Sequence, residues 1–193
     1  MAENRKKREV LIALGANLPS PSGVPERTLA DALSRLPAFG VSQVEPSRFF
    51  RTPCFPPGAG PDYVNAAARI ETECDAPDVL AMLHQIESEF GRERVQRWGQ
   101  RTLDLDLIAM DDVVLPDRQT YGAWHDLSLE DQGRRAPEHL ILPHPRVQDR
   151  AFVLVPLADV APHWRHPVLL QTVLEMRDAL DPAVLQEVVP IEL

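Results

Sequence analysis

The chain has 193 residues, 44% of them hydrophobic and 25% charged, which is the composition of a folded globular protein rather than a disordered one. That length suits one domain, with or without an insertion, and is ample to bury a core. The net charge of −9 argues against broad binding to nucleic acids or anionic membranes, which requires a positive surface potential.

Arginine dominates the basic side chains, because only Lys6 and Lys7 among the 20 basic residues are lysines. A guanidinium binds phosphate or carboxylate in a bidentate manner that an ammonium cannot match. A GC-rich genome explains the excess more simply when the count is taken alone. The arginine excess is therefore compatible with a local phosphate-binding or carboxylate-binding site but does not establish one.

The sequence predicts a cytoplasmic protein. No apolar run approaches the roughly 20 residues that a membrane span needs. The polar start of the chain leads directly into the run Val10–Leu14, which is too short for the core of a signal peptide and has no small-residue cleavage site after it. Cys54 and Cys74 form neither a disulfide framework nor a metal motif, so a reducing compartment fits best.

The chain begins with a strand and a helix. A short buried strand is predicted at Val10–Leu14, followed by a loop of turn-forming residues. A helix is predicted from about Pro25, since Leu29, Leu33 and Leu36 recur at helical spacing on one face.

Two extended segments come next. Val41 to Arg51 reads as extended, and Pro46 within it indicates an edge position or a bulge. Residues 53–62 contain four prolines and two glycines, which is typical of a surface connector or of a lid over a site. Tyr63 to Thr72 is predicted as the strand that pairs with the preceding segment.

The second helix has the clearest pattern. Asp75 can cap its start, Pro77 suits its first turn and Gly91 is placed to end it. Its apolar positions recur at helical spacing at Val79, Leu83, Ile86 and Phe90.

The following strand alternates apolar and acidic residues over Leu103–Ile108. The order of elements is then β-α-β-β-α-β, so the predicted fold class is α+β with a ferredoxin-like core. Residues 111–137 are polar and predicted as loop, while Val153–Val160 and Leu170–Leu180 are predicted as short packing helices. We expect a single domain over residues 1–193, with a disordered tail at 1–8 and an insertion loop at 112–138.

The strongest candidate for chemistry lies between the second helix and the alternating strand. Four arginines and one glutamate give residues 92–101 a local charge of +3 inside an acidic protein. Asp104 and Asp106 then stand on one strand face, with Cα atoms roughly 6.5–7 Å apart. Two carboxylates on a rigid strand repel one another unless a cation lies between them, and Mg²⁺ prefers a few carboxylates together with substrate phosphates. The pattern therefore predicts metal-assisted phosphoryl transfer, with arginines binding the phosphate oxygens.

Simpler interpretations compete with each of these assignments. An Asp-x-Asp pair is usually a solvated strand face, and only the flanking arginines favour a site. Trp98 can be a packing residue or a lid aromatic. His144 stands between Pro143 and Pro145, where a structural role is the commoner one.

Tyr63 and Asn65 share a strand face directly after the proline-rich loop, because they lie two residues apart. An amide both donates and accepts hydrogen bonds, which suits the edge of a heterocycle. A tyrosine at the start of a strand can equally pack against the neighbouring loop.

Several ordered motifs resemble the 6-hydroxymethyl-7,8-dihydropterin pyrophosphokinase family of folate biosynthesis. The most specific is the string Arg-Trp-Gly-Gln-Arg-Thr-Leu-Asp-Leu-Asp over Arg97–Asp106. The shorter matches, in chain order, are Leu14–Leu18, Phe50–Pro53, Pro61–Ala67, Ile86–Glu87, Gly91–Arg92, Leu142–Pro145 and Arg150–Leu154. Together the matches span about residues 10 to 165.

The resemblance implies an ATP-dependent diphosphokinase with a ferredoxin-like fold that moves pyrophosphate from ATP to the pterin hydroxymethyl group and releases AMP. By the family's pattern, Asp104 and Asp106 would hold two Mg²⁺ ions, and Arg92 and Arg101 would stabilise the transferring group. The residues implied to contact ATP are Glu87, Arg94, Arg97, Trp98, His139, His144 and Arg150. The residues implied to line the pterin pocket are Gly15, Thr52, Pro53, Phe55, Tyr63, Asn65 and Phe152.

The chain departs from the family's pattern in three places. Cys54 stands where a proline is common, and Phe55 where a leucine is familiar. His139 stands where relatives can carry an arginine. Residues 112–138 exceed the expected short turn, and we interpret them as a surface insertion, with a lineage-specific contact or partner site as the alternative.

Two other function classes are weighed against the pyrophosphokinase. Ferredoxin-like sheets also bind RNA, but that function requires exposed aromatic residues and a basic surface, whereas this strand face carries aspartates. A metal-dependent phosphohydrolase would use the same pair of carboxylates and would release different products. We expect a monomer whose partners are ATP and the pterin, with no nucleic acid and no membrane.

Overall fold

The structure of the protein is a computed structural model that describes residues 6–54, 58, 60–91, 102–128, 131 and 134–192. The strands form one antiparallel sheet in the order β5-β1-β4-β3-β6, and β2 also pairs with β4. The strands are β1 (Arg8–Ala16), β2 (Val41–Pro46), β3 (Phe50–Thr52), β4 (Tyr63–Thr72), β5 (Asp104–Met110) and β6 (Val189–Pro190).

Helices pack on both faces of the sheet. They are α1 (Pro25–Arg35), α2 (Ala76–Glu89), α3 (Arg118–His125), α4 (Ala151–Val160), α5 (Val173–Asp178) and α6 (Pro182–Gln186). Within the part of the chain that the structure describes, no helix is long and apolar enough to cross a membrane. The order β1-α1-β2/β3-β4-α2-β5 confirms the predicted ferredoxin-like α+β core.

Two apolar cores lie on opposite faces of the sheet. Alternate residues of β1 and β4, such as Ile12 and Ile70, pack with α1 and α2 in the larger core. The intervening residues, such as Ala13 and Ala67, pack with α4 and α5 in the smaller core. Side chains alternate between the two faces of a strand, so β1 and β4 are apolar on both.

The ends of α2 confirm the predicted capping residues. The Asp75 carboxylate accepts a hydrogen bond from the Asp78 backbone N–H at 3.0 Å, and Pro77 lies in the first turn. Gly91 adopts a positive φ of 78° after the last turn, a conformation that glycine adopts without strain.

The structure corrects two of the predicted elements and adds two that were not predicted. The extended segment Val41–Arg51 divides into β2 and β3, because Ser47 turns the chain and exchanges hydrogen bonds with Ala67. The segment predicted as loop at 111–137 contains the helix α3. The short elements α6 and β6 near the end of the chain have no counterpart among the predicted elements.

Buried polar contacts dock α3 onto the C-terminal segment. Tyr121 is 1% exposed, and its hydroxyl lies 2.9 Å from Nε2 of the fully buried His166. The His166 Nδ1 accepts backbone N–H groups from Val168 and Leu169, at 3.1 Å each. The neutral ring must therefore carry its proton on Nε2 and donate it to Tyr121. Burial, aided by the nearby His125, lowers the pKa of His166 to about 4, which keeps the ring neutral.

Substituting Tyr121→Phe should lower the free energy of unfolding by about 1–3 kcal/mol, because the His166 Nε2–H is left without its acceptor in a buried site. Urea denaturation measures the change. The matched control is Arg118→Gln on the same helix, because the exposed Arg118 guanidinium also bonds to this segment, at the Pro167 carbonyl. The free energy of unfolding of the control should stay within about 0.5 kcal/mol of the wild-type value. Equal losses of stability in both variants would contradict a stabilising role for the Tyr121–His166 hydrogen bond.

Candidate active site

The two aspartates of β5 project from the sheet face that α4 covers. Asp104 and Asp106 are half-buried, whereas Leu105 and Leu107, which alternate with them, are 4% exposed and lie in the larger core. In the register with β1, Asp104 pairs with Gly15 and Asp106 with Ala13. The alternation read from the sequence therefore places both carboxylates on one face, as predicted.

A buried amide lies beside the acidic pair. Gly15 also pairs with Asn65 on β4, so Asp104, Gly15 and Asn65 form one row across three strands. A Cβ at Gly15 would lie 3.1 Å from the Asn65 Oδ1, a closer approach than an ordinary carbon–oxygen contact. The absence of a side chain at Gly15 thus makes room for the Asn65 amide in the same row as Asp104, with β1 between them.

The Asn65 amide is held in a fixed orientation. It is 5% exposed, and its Nδ2 donates to the Thr52 hydroxyl oxygen at 2.8 Å. Thr52 in turn pairs with Tyr63 in the β3–β4 ladder. The half-buried Tyr63 and the exposed Pro53 continue this surface toward the proline-rich loop.

The start of α4 brings a cation and an aromatic ring to the same place. The Arg150 Nη1 lies 3.2 Å from Oδ2 of Asp106. The Arg150 guanidinium also lies 5.8 Å from the centroid of the Phe152 ring. Phe152 is 41% exposed, whereas its neighbours Val153 and Leu154 are buried. An exposed ring above a buried helix face is placed to stack on a flat ligand.

His144 lies close to this cluster in a fixed tautomer. Its backbone N–H donates to the Ile108 carbonyl at 2.7 Å, and its Nδ1 accepts the Arg146 backbone N–H at 3.1 Å. The neutral ring therefore carries its proton on Nε2. Although part of the residue reaches solvent, burial of the ring, together with the charge of Arg150, lowers its pKa to about 3. His144 is thus a neutral hydrogen-bond donor rather than an acid or base near pH 7.

Glu87 lies in the core instead of at the surface. It is 1% exposed, and its Oε1 accepts the Leu105 backbone N–H at 2.8 Å. A buried carboxylate is costly unless it is hydrogen-bonded, so this contact ties α2 to the strand that carries the acidic pair. The ATP contact implied for Glu87 stays a prediction.

The donor set at the acidic pair fits a hard divalent cation. Asp104 and Asp106 supply carboxylate oxygens on one strand face. Among the residues that the structure describes, no group of three or more histidine, cysteine or carboxylate side chains could hold a metal by itself. Mg²⁺ matches such a site, because it binds through one or two carboxylates together with water and substrate phosphates.

The remaining predicted site residues divide into two groups. His139 is exposed and lines a surface depression with Trp124 and Arg135, next to α3 rather than next to the acidic pair. The others lie outside the described residues: Phe55, Arg92, Arg94, Arg97, Trp98 and Arg101.

Two residues at the site were not among those predicted. Asn17 is 4% exposed, and its Nδ2 donates to the Pro61 carbonyl at 3.2 Å, so it joins the loop after β1 to the proline-rich loop. Arg146 fixes the tautomer of His144 through its backbone. An asparagine shortly after a predicted strand was a visible signal for Asn17, but a backbone contact such as that of Arg146 leaves none in the sequence.

The fold and the site define a class: an α+β protein whose sheet carries an acidic pair beside an arginine and, in the same row, a buried amide. A sequence model of the 7,8-dihydro-6-hydroxymethylpterin-pyrophosphokinase (HPPK) family matches residues 11–162. The chain therefore belongs to this family.

Named relatives agree with that assignment. The chain is 35% identical over 181 residues to a 2-amino-4-hydroxy-6-hydroxymethyldihydropteridine pyrophosphokinase of Synechocystis sp., covering 93% of this chain and 80% of the relative. It is 37% identical over 160 residues to the enzyme of the same name from Pseudomonas aeruginosa, covering 83% of this chain and 85% of the relative.

Solved structures share the fold. The wild-type HPPK-DHPS of Plasmodium falciparum matches with a TM-score of 0.62 at 13% identity, over 92% of this chain. This chain spans 45% of the length of that longer protein. An HPPK-DHPS crystallised with substrates matches with a TM-score of 0.60 at 11% identity, over 90% of this chain and 43% of that chain.

The tautomer of His144 can be tested by nitrogen NMR of the imidazole rings. At pH 6 the His144 ring should show the neutral form with its proton on Nε2, since burial lowers its pKa to about 3. The exposed His139 serves as the internal comparison. A signal of the doubly protonated ring for His144 at pH 6 would contradict the assignment.

Proposed function

We propose that Asp104, Asp106 and Arg150 form the site of this HPPK-family enzyme that binds ATP and its metal ions. The enzyme is an ATP-dependent pyrophosphokinase that transfers pyrophosphate to 6-hydroxymethyl-7,8-dihydropterin in folate biosynthesis, with release of AMP. The observation that carries the residue assignment is the convergence of two half-buried carboxylates and one guanidinium at the start of α4. This is the charge pattern that a magnesium-bound polyphosphate requires.

The proposed ATP site would combine carboxylates that bind metal ions with hydrogen-bond donors that bind phosphate. Asp104 and Asp106 would hold two Mg²⁺ ions, which neutralise phosphate charge and orient the phosphate chain when bound. Arg150 would bind phosphate oxygens, and the neutral His144 would donate its Nε2–H. The arginines implied by the resemblance, Arg92 and Arg101 in catalysis and Arg94 and Arg97 in ATP binding, would add further donors from outside the described residues.

The proposed pterin site would combine the Asn65 amide with the exposed ring of Phe152. A pterin is flat and carries N–H donors and ring acceptors on one edge. The Asn65 amide, oriented by Thr52 and accommodated by Gly15, matches such an edge. Phe152 would stack on one face of the pterin, and Tyr63 and Pro53 would line the pocket. The second aromatic wall would come from Phe55.

The chemistry would rest on positioning and charge neutralisation. The substrate hydroxyl oxygen forms a bond to the β-phosphorus of ATP and its proton passes to solvent, while the bond from that phosphorus to the oxygen bridging to the α-phosphate breaks, and AMP leaves with that oxygen. His144 is a poor base because its pKa is held at about 3. The residues described here thus act by holding the two substrates in line rather than by accepting the hydroxyl proton.

We also propose a single-domain enzyme that acts as a monomer in the cytoplasm. One sheet joins β1 to β6 across the described ranges, which supports a single folding unit. Cys54 and Cys74 are thiols, which fits a reducing compartment. Light scattering coupled to size exclusion measures the oligomeric state directly.

The assignment of the acidic pair is tested by product analysis. With ATP, Mg²⁺ and the hydroxymethyl-dihydropterin, the wild type should release AMP. The variants Asp104→Asn and Asp106→Asn should each lose at least about 100-fold in kcat, because one centre of charge stabilisation is removed. Chromatography of the nucleotides separates AMP from ADP.

A matched control is Asp159→Asn, at the far end of α4, where the carboxylate pairs with Arg48 instead of facing the site. This variant should keep kcat within about threefold of the wild type, an allowance typical of substitutions away from a site. ADP as the product, or wild-type turnover in either β5 variant, would refute the assignment.

The pterin pocket is tested by Gly15→Ala. The added Cβ would lie 3.1 Å from the Asn65 Oδ1, so the amide would have to shift by a few tenths of an ångström, and we expect the KM for the pterin to rise by up to about tenfold as its hydrogen bond weakens. The KM for ATP should change less. Steady-state kinetics with each substrate varied in turn separates the two effects.

Gly122→Ala is the control, because a Cβ at this α3 glycine meets no atom within 4 Å. It should leave both KM values unchanged and raise the free energy of unfolding by about 0.5–1 kcal/mol, since alanine favours the helix. An unchanged pterin KM in Gly15→Ala would argue against this pocket.

A further inference from the structure

The Asp106 carboxylate has a cationic partner inside the protein. The Arg150 Nη1 lies 3.2 Å from its Oδ2, and the two side chains are 23% and 37% exposed. Partial burial reduces solvent screening, so the pair interacts more strongly than an open surface pair. Any other cation that binds Asp106 must therefore compete with this guanidinium.

The competition is direct, because Arg150 already contacts Oδ2 of the carboxylate that a divalent cation would bind. A cation seated at Asp106 would also be repelled by a guanidinium that stayed in place. The loss of the ion pair thus lowers the net affinity of Asp106 for a metal that arrives alone.

Phosphate oxygens offer Arg150 an alternative partner. The backbone of Arg150 is anchored at the start of α4, where its carbonyl accepts the N–H groups of Val153 and Leu154 at 3.0 and 2.9 Å. Its side chain can therefore change partners by rotation while the helix stays in place. A guanidinium gains at least as much from a bidentate phosphate contact as from one carboxylate oxygen.

We propose that Arg150 couples the binding of the divalent cation to the binding of ATP, by exchanging Asp106 for the phosphate chain. The inference rests on the proposed function, since it takes Asp106 as a metal ligand and Arg150 as an ATP contact. By thermodynamic linkage, the nucleotide then raises the affinity for the metal and the metal raises the affinity for the nucleotide. The enzyme consequently discriminates against free metal and favours metal that arrives with ATP.

The coupling predicts effects of opposite sign in one variant, Arg150→Gln. Mn²⁺ alone, titrated by calorimetry or by its paramagnetic resonance signal, should bind about fivefold more tightly than to the wild type. The non-cleavable analogue α,β-methylene-ATP, titrated at saturating Mn²⁺, should bind at least fivefold more weakly. Arg150→Lys keeps the positive charge and should retain an affinity for Mn²⁺ alone close to that of the wild type.

Arg48→Gln is the matched control, because Arg48 is also an arginine paired with an aspartate, in this case Asp159 at the far end of α4. It should leave both affinities unchanged. If Arg150→Gln does not tighten the binding of Mn²⁺ alone, or tightens it no more than Arg48→Gln does, the coupling is refuted.

Asp106→Asn separates this inference from the proposed function. It should weaken the binding of Mn²⁺ in the presence of the analogue at least tenfold. An unchanged Mn²⁺ affinity would overturn the metal site of the proposed function, and the coupling with it. A clear loss in Asp106→Asn, together with no gain in Arg150→Gln, would overturn the coupling alone.

Discussion

The register of β5 against β1 is the constraint on which the rest of the site depends. Because side chains alternate along a strand, a shift of one residue would carry Asp104 and Asp106 into the core and turn Leu105 and Leu107 toward the site. The buried Glu87 carboxylate opposes such a shift, since it accepts the Leu105 backbone N–H at 2.8 Å from the neighbouring helix. One ionisable group in the core thus fixes two others at the surface.

The two faces of the sheet have different tasks. The face under α1 and α2 is mainly apolar and supplies most of the core. The face under α4 is apolar along the middle of β1 and β4 but ends in the row of Asp104, Gly15 and Asn65. The buried residues of α4 hold this helix on the apolar part, so its first turn lies above the polar row. The packing of one helix therefore determines where Arg150 and Phe152 meet the strand residues.

Local patterns in the sequence were enough to predict most of the sheet and its two crossover helices. The capping residue Asp75 and the bounds of Tyr63–Thr72 agree with the structure because both depend on neighbouring residues only. The helix α3 escaped prediction because what stabilises it is distant, a contact between Tyr121 and His166 across 45 positions of sequence. Its own sequence is short and mostly polar, so Tyr121 and Trp124 alone form too brief a pattern to have indicated a helix.

In the candidate site, too, features set by neighbouring residues could be predicted, whereas those set by distant contacts could not. The alternation of β5 and the spacing of Tyr63 and Asn65 are local, so sequence alone places each pair on one face. The ion pair of Arg150 with Asp106 joins residues 44 positions apart, and only the fold shows it. Motif resemblance supplied the roles of these residues, but it could not indicate that one proposed ligand of ATP also neutralises a proposed ligand of the metal.

The backbone contact made by His144 has a consequence for solubility. Among the strands that the structure describes, β5 is the outermost on its side of the sheet, and an outermost strand offers unpaired backbone groups to which another chain can add. The His144 N–H occupies the Ile108 carbonyl in the middle of that edge. The segment that positions a proposed ATP contact therefore also covers one acceptor of this edge, and a change that released it would expose that acceptor to association with another chain as well as weaken nucleotide binding.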